Sequence, residues 1–170
     1  TATNGTNYSA SLTFSGQSVT TVRTRAFRSD YIDSRVATAT YLMNQPAGIK
    51  ALPAISLVGE PDDYFAPDGI LANPDSSQGR ENEKLTSFEF IHQANVSLAG
   101  QVDLGVRIVD NNSSASDLLP PDFWKFSQSR RPKFNLFLRN DYEASTWDYD
   151  LFPRSKVKNL ARLSIRLGHQ

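Results

Sequence analysis

The sequence predicts a mainly β protein built from antiparallel sheets, with little helix. Hydrophobic residues recur at every second position in several short runs, and no segment keeps a helical period of 3.6 residues. Clusters of Gly, Pro, Asn, Asp and Ser separate these runs, as turns separate strands. With 170 residues, of which 39% are hydrophobic, the chain can bury a core and is expected to hold one domain or a small pair.

The first segment, residues 1–43, is rich in Thr and Ser and is predicted to form strands at Thr20–Phe27 and Ser34–Leu42. Between them, Arg28–Ser34 supplies the turn residues. The alternation then stops at a short stretch with Asn, Pro and Gly, so residues 44–49 are predicted to be a linker.

From residue 50 onward the pattern stays strand-like. The alternating runs are Phe88–Phe90, Val102–Ile108, Phe134–Leu138 and Ala161–Leu167. Because only alternate positions are apolar, each run is expected to bury one face, as strands of antiparallel sheets do. Short helices can form only near Glu60–Phe65 and Ser116–Phe126, and Asn111–Pro121 is predicted to be a surface loop.

Charge and composition exclude several classes of function. Lys and Arg together number 18, as do Asp and Glu, so no overall field attracts nucleic acid, and no nucleic-acid partner is expected. No run approaches the roughly 18 apolar residues of a membrane-spanning helix. The chain has no Cys, which excludes disulfides and thiolate metal sites.

The common catalytic and metal-binding motifs are absent from the sequence. The two histidines, His92 and His169, lie far apart without partners at metal-ligand spacing, so no histidine-based zinc site is expected. The glycines are scattered singly, and neither a nucleophile elbow nor a phosphate-binding glycine motif is present. Late aromatic residues either fill a core or stack on a ligand, and a core role is favoured for Phe126 and Phe152 over Trp147, which lies in a polar run.

Three segments late in the chain combine a basic turn, a strand, a Leu-Phe-Pro turn and a second strand. They are Lys125–Arg139, Asp148–Pro153 and Leu163–Gly168. An earlier block consists of Leu52–Val58, Glu60–Phe65 and Asp68–Pro74. Together these segments resemble the N-terminal, sheet-rich region of the CotH family of secreted atypical protein kinases.

The first segment resembles part of a different module. Thr21–Arg28, Tyr31 and Ser34–Tyr41 are similar to the C-terminal half of the Ig-like β-sandwich repeat at the ends of chitobiases. The two resemblances imply a partial sandwich at 1–43, a linker at 44–49 and a truncated CotH-like region at 50–170. Such sandwiches have about seven strands, so the N-terminal half of this one is expected to be missing.

The family resemblance implies a secreted or cell-surface parent that binds ATP and Mg²⁺. It places Lys133 near the nucleotide phosphates, with Arg130 and Arg131 behind it. The competing interpretation is that these three cations form a solvated rim before a strand. The family's essential acidic residues lie beyond the matching segments, so the chain is expected to be inactive alone, and no catalytic residue or cofactor is assigned to it.

The acidic segment that includes Asp62, Asp63 and Asp68 is a weak candidate for calcium, which prefers several oxygen ligands. Its spacing does not match an EF-hand loop, and turns favour the same residue types for backbone reasons. No metal site is therefore assigned, and calcium is kept as a secondary hypothesis.

Two functions follow from these observations. The first is a non-catalytic structural or adhesion module that binds other extracellular proteins, or assembles with copies of itself through an uncovered sheet edge. The second is the nucleotide-binding part of an extracellular CotH-type Ser/Thr protein kinase. The early end of the chain favours the first for this chain, and the resemblance favours the second for its parent.

Overall fold

The structure is a computed structural model, and it describes residues 5–71, 79–92, 99–108, 133–149, 151 and 157–166. The chain divides into two compact units, Thr1–Lys50 and Ala51–Gln170. The division falls next to the predicted linker at 44–49.

The first unit contains a two-stranded antiparallel sheet. Strand β1 spans Ser18–Thr24 and strand β2 spans Ala37–Met43, and their register pairs the first residue of each with the last residue of the other. Both predicted strands are therefore confirmed, with boundaries shifted by a few residues. A four-residue helix that the sequence analysis did not predict, α1 (Ala47–Lys50), lies where the linker was expected.

The turn between β1 and β2 has the predicted chemistry. The N–H of Tyr31 donates to the carbonyl of Arg28 at 3.2 Å, and Asp30 has a positive φ of 65°, which Asp tolerates better than most residues. Beyond the end of the regular ladder, the N–H of Ala26 donates to the Ser34 hydroxyl at 2.9 Å. The Ser34 N–H donates back to the Ala26 carbonyl at 3.1 Å, so the side-chain bond takes the place of only one of the two backbone bonds of this pair.

The second unit contains a five-stranded antiparallel sheet whose strands follow chain order. The strands are β3 (Ala54–Gly59), β4 (Lys84–Ile91), β5 (Gly100–Ile108), β6 (Lys133–Phe137) and β7 (Arg162–Arg166). Helix α2 (Pro61–Phe65) and a short 3-10 helix (Arg80–Asn82) precede β4. The predicted mainly β class with antiparallel sheets and little helix is thus confirmed, as is the short helix near Glu60–Phe65. The predicted helix at 116–126 and loop at 111–121 lie outside the described residues.

One face of the five-stranded sheet forms the core. Its buried apolar residues are Tyr64, Ile70, Leu71, Phe88, Val102, Leu104, Val106, Ile108, Leu136 and Leu138. Strand β5 supplies four of these residues at alternate positions, which confirms the period of two seen in its sequence. The facing residues of β4, β6 and β7 follow from the antiparallel registers, and Leu163 and Ile165 pack against the cluster from the edge strand.

Helix α2 is held to the sheet by a buried hydrogen bond. Pro61 occupies the first turn, where its missing N–H costs nothing. The hydroxyl of Tyr64 lies 2.5 Å from that of Thr86 on β4, and because the Thr86 hydroxyl donates to the carbonyl of Lys84, the Tyr64 hydroxyl is the donor. Burial raises the pKa of Tyr64 to about 12.

Trp147 is half-buried and packs against the core although its sequence neighbours are polar. Its ring meets Phe88 edge to face at 5.4 Å between centroids and stacks on Tyr149 at 4.4 Å. An isolated β-bridge to Leu160 fixes its backbone. A Cβ at Gly100 would lie 2.7 Å from the Trp147 ring, so the glycine lets the ring approach β5 closely. The sequence analysis favoured a core role for Phe126 and Phe152 over Trp147; both phenylalanines lie outside the described residues, so this comparison stays a prediction.

Within the described part of the chain, no helix has the length and apolar character needed to cross a membrane.

Candidate functional site

The face of the five-stranded sheet opposite the core carries the polar side chains. The register places Gly105 opposite Phe137 and Phe137 opposite Arg162. Arg107, two residues after Gly105 on β5, lies opposite Asn135, two residues before Phe137 on β6. Because side chains alternate between the two faces of a sheet, these residues share one face. They bring together groups from three adjacent strands that are distant in the sequence.

A buried carboxylate, Glu83, lies at the edge of this face just before β4. Its side chain has no exposed area. Arg139 donates two hydrogen bonds to it, from Nε at 2.7 Å and from Nη2 at 2.6 Å, in the fork geometry that suits a guanidinium and a carboxylate. The Tyr142 hydroxyl donates a third at 3.2 Å, and Arg107 Nε lies 3.8 Å away as an ion pair.

Three opposing effects set the pKa of Glu83. Burial by itself would raise it, but the hydrogen bonds and the positive charge of Arg139 lower it, with help from Tyr142 and Arg107. The net direction is downward, so the carboxylate stays ionised at neutral pH. The hydrogen bond to Glu83 in turn raises the pKa of Arg139. Burial, followed by the nearby negative charge, raises the pKa of Tyr142.

Phe137 is surrounded by three guanidinium groups. The guanidinium carbons of Arg107, Arg139 and Arg162 lie 4.3, 5.2 and 5.0 Å from its ring centroid. Each distance is within the range of a cation–π interaction. We call Arg107, Arg139 and Arg162 with Phe137 the arginine cluster.

Gly105 makes room for this arrangement on β5. A Cβ there would lie 2.5 Å from the Tyr142 ring and 2.8 Å from a carboxylate oxygen of Glu83. Real side chains do not make contacts this close, so any larger residue would displace the tyrosine or the carboxylate. Close packing against Tyr142 and Glu83 therefore requires glycine at position 105.

Only part of the predicted nucleotide-binding set can be placed. Lys133 is the first residue of β6 and is half-buried. It lies two residues before Asn135 and four before Phe137, hence on the polar face with the arginine cluster. Arg130 and Arg131 lie outside the described residues. Lys133 is therefore on the same face as the cluster, and its predicted role stays a prediction.

The weak calcium candidates lie on and after α2. Asp62 and Asp63 are in the helix, and Asp68 follows it. Asp63 forms an ion pair with Lys84 at 3.4 Å. Among the residues that the structure describes, no group of three or more His, Cys, Asp or Glu side chains could hold a metal ion. Calcium at this place stays an untested hypothesis without structural support.

Sequence reasoning missed the arginine cluster and its carboxylate. Arg107 and Arg162 were recognised only as outward-facing positions of alternating strands, and Arg139 as part of a family segment. The strand order brings them together, and periodicity alone does not reveal the order. A partial signal existed, because each arginine lies at a polar position of a strand or directly after one.

The first unit presents a second surface of interest. Among residues 5–50, only Thr38 is buried, so this unit buries no apolar side chain of its own there. Several apolar side chains are exposed instead: Tyr8, Leu12, Val19, Phe27, Tyr31, Ile32, Tyr41 and Ile49. Ile32, at the hairpin turn, is 99% exposed. Where exposed apolar side chains form a contiguous patch, the patch is typical of a region that contacts another polypeptide.

No family model, no curated protein and no solved structure matches this chain. The resemblances to CotH-type kinases and to the chitobiase sandwich therefore rest on the residues quoted for them.

Proposed function

We propose that this chain is a non-catalytic interaction module of a secreted or cell-surface, CotH-like protein, and that its first unit associates with a second copy of the chain. One observation carries the proposal. The first unit, as far as it is described, has no fully buried apolar side chain, and many of its apolar side chains are exposed.

A unit of this kind gains little from folding alone. A two-stranded hairpin is marginal in water unless further strands or another element cover one face. Burying apolar surface contributes roughly 25 cal/mol per Å², and this contribution becomes available to Val19, Tyr31 and Ile32 only through a partner. Tyr31 and Arg28 are exposed at the turn between β1 and β2, and Tyr and Arg are enriched in protein interfaces.

The sequence of β2 favours a second copy as the partner. Natural edge strands usually carry charges that prevent copies from associating. Strand β2 contains no charged residue and no Pro or Gly. Two copies can therefore approach through this strand without like-charge repulsion, and a symmetric pair would close on itself.

Sedimentation velocity over a wide range of protein concentration tests this proposal. The wild-type chain should dimerise as its concentration rises, and Tyr41→Lys and Ile32→Lys should shift it toward the monomer. Val157→Lys is the matched control, because Val157 is an exposed apolar residue of the second unit, and it should leave dimerisation unchanged. A chain that stays monomeric at the highest concentration tested would disprove self-association.

The alternative function is the nucleotide-binding part of an extracellular CotH-type Ser/Thr protein kinase. The position of Lys133 on the same sheet face as the arginine cluster favours it. Under this hypothesis the wild-type chain binds ATP in the presence of Mg²⁺, and Lys133→Ala abolishes that binding. Lack of ATP binding by the wild-type chain would exclude a working nucleotide site in it.

A further inference from the structure

The arginine cluster has more positive charge than its internal carboxylate neutralises. Glu83 is the carboxylate that pairs with Arg139 and Arg107. Arg162 makes no ion pair within the described part of the chain; its recorded contact is with the Phe137 ring. Glu83 neutralises one of the three cations, which leaves two positive charges of the arginine cluster that it does not neutralise.

The carboxylate of Asp141 does not change this count. Asp141 acts on Arg139 at longer range, but it forms its own ion pair with Arg80. That pair is neutral as a whole and mostly exposed, with side-chain exposures of 60% and 65%. Asp141 therefore does not cancel the excess charge of the arginine cluster.

Two hydrogen-bond donors beside the cluster lack acceptors. Arg107 Nε is buried and has no hydrogen-bond partner, since Glu83 lies too far away for a hydrogen bond. The same holds for Nδ2 of Asn135, which is fully buried and lies opposite Arg107 in the register. The Asn135 side chain is held in place by Ser164, whose hydroxyl donates to Oδ1 at 2.5 Å. Buried hydrogen-bond donors without acceptors are rare in folded proteins, so an acceptor from a bound ligand is a physical explanation for these two.

A tetrahedral oxyanion would neutralise the excess positive charge and accept hydrogen bonds from the unpaired donors of Arg107 and Asn135. It carries up to two negative charges, which match the excess, and it offers several acceptor oxygens for guanidinium forks and an amide. The Phe137 ring provides an apolar floor that strengthens such contacts by excluding water. The site is open at its rim, because Arg162 is exposed and the Arg139 side chain is 30% exposed.

We propose that Arg107, Arg139 and Arg162, arranged around Phe137 and beside Asn135, form a binding site for a phosphate or sulfate group. Arg162 and Arg107 contact the anion, while Arg139 is oriented by Glu83. This site lies on the second unit and does not depend on association through the first. The anion can be a free ion or the terminal group of a larger molecule, and the chemistry of recognition is the same.

Isothermal titration calorimetry of the full chain with inorganic phosphate, at constant ionic strength set with chloride, tests the site. Phosphate and sulfate should bind saturably. Arg162→Gln should weaken binding about tenfold or more, because a charge-assisted hydrogen bond is lost. Arg162→Lys should retain part of the affinity. Lys158→Gln removes an equal charge from an exposed position of the same unit, and it should leave binding unchanged.

A second titration, with ATP and Mg²⁺, identifies the source of the anion. Tighter binding of ATP than of phosphate, lost in Arg162→Gln, supports the site with a nucleotide as its ligand, and equal binding supports a site that recognises the anion alone. The proposal is overturned if phosphate and sulfate show no saturable binding, or if Lys158→Gln weakens binding as much as Arg162→Gln. Arg162 is exposed on an edge strand, and an unchanged tryptophan fluorescence spectrum of each variant would show that it is folded.

Discussion

Glu83→Gln should destabilise the second unit strongly, although it changes one atom of the side chain. The carboxylate has no exposed area and accepts two charge-assisted hydrogen bonds from Arg139. Removing one partner of a fully buried ion pair costs roughly 3–5 kcal/mol. The Arg139 side chain keeps 30% exposure, so water can solvate part of its charge, and the glutamine oxygen can still accept one bond. We therefore expect a loss of about 2–3 kcal/mol in the free energy of unfolding at pH 7.

Urea denaturation followed by tryptophan fluorescence measures this loss, because both tryptophans lie in the second unit. The lowered pKa of Glu83 gives the pH dependence its sign. The stabilisation by Glu83 is present above about pH 4.5, which is the ordinary pKa of a glutamate. It is lost as the pH falls through the lower pKa of Glu83 in the folded state. The difference between wild type and Glu83→Gln should therefore shrink in acid.

The matched control for this experiment is Asp141→Asn, which breaks an exposed ion pair with Arg80. Exposed pairs contribute up to about 1 kcal/mol, so this variant should lose much less stability. If Glu83→Gln lies within about 0.5 kcal/mol of the wild type, or if it loses no more than the control, the argument from burial is wrong.

Three further predictions concern the packing around the sheet. Gly105→Ala should lower the denaturation midpoint because its Cβ would collide with Tyr142, whereas Gly48→Ala, in open space, should not. Tyr64→Phe should cost about 1 kcal/mol through its lost hydrogen bond. In the wild type, ultraviolet absorbance should show one tyrosine that ionises near pH 12, and the associated stability is lost as the pH rises above 10. Trp147→Ala should cost about 3 kcal/mol, because its ring packs on the core; a cost below about 1 kcal/mol would place the ring outside the core.

Much of the fold could be predicted because period two is a local property of the chain. The alternation of Val102, Leu104, Val106 and Ile108 determines which face of β5 is apolar, whatever its neighbours are. The turn at Arg28–Ser34 is likewise encoded locally. The positions of the strand ends were predicted less accurately, since a side-chain hydrogen bond such as that from Ala26 to the Ser34 hydroxyl can take the place of a backbone bond of the ladder.

The site could not be predicted in the same way. The family resemblance alone suggests Lys133 as a nucleotide-binding residue. The arginine cluster, in contrast, forms only because β5, β6 and β7 are neighbours in the sheet. Trp147 shows the same limit. Its sequence neighbours are polar, but a bridge to Leu160 and the absence of a side chain at Gly100 bring its ring against the core.

The sequence by itself determined the mainly β class of the protein and the apolar face of strands such as β5, because propensity and periodicity act over a few residues. Only the tertiary structure decided that Arg107, Arg139 and Arg162 surround one phenylalanine and share one buried carboxylate. The physical reason is that register and strand order set the distances between charges far apart in the chain, and charge interactions depend on those distances.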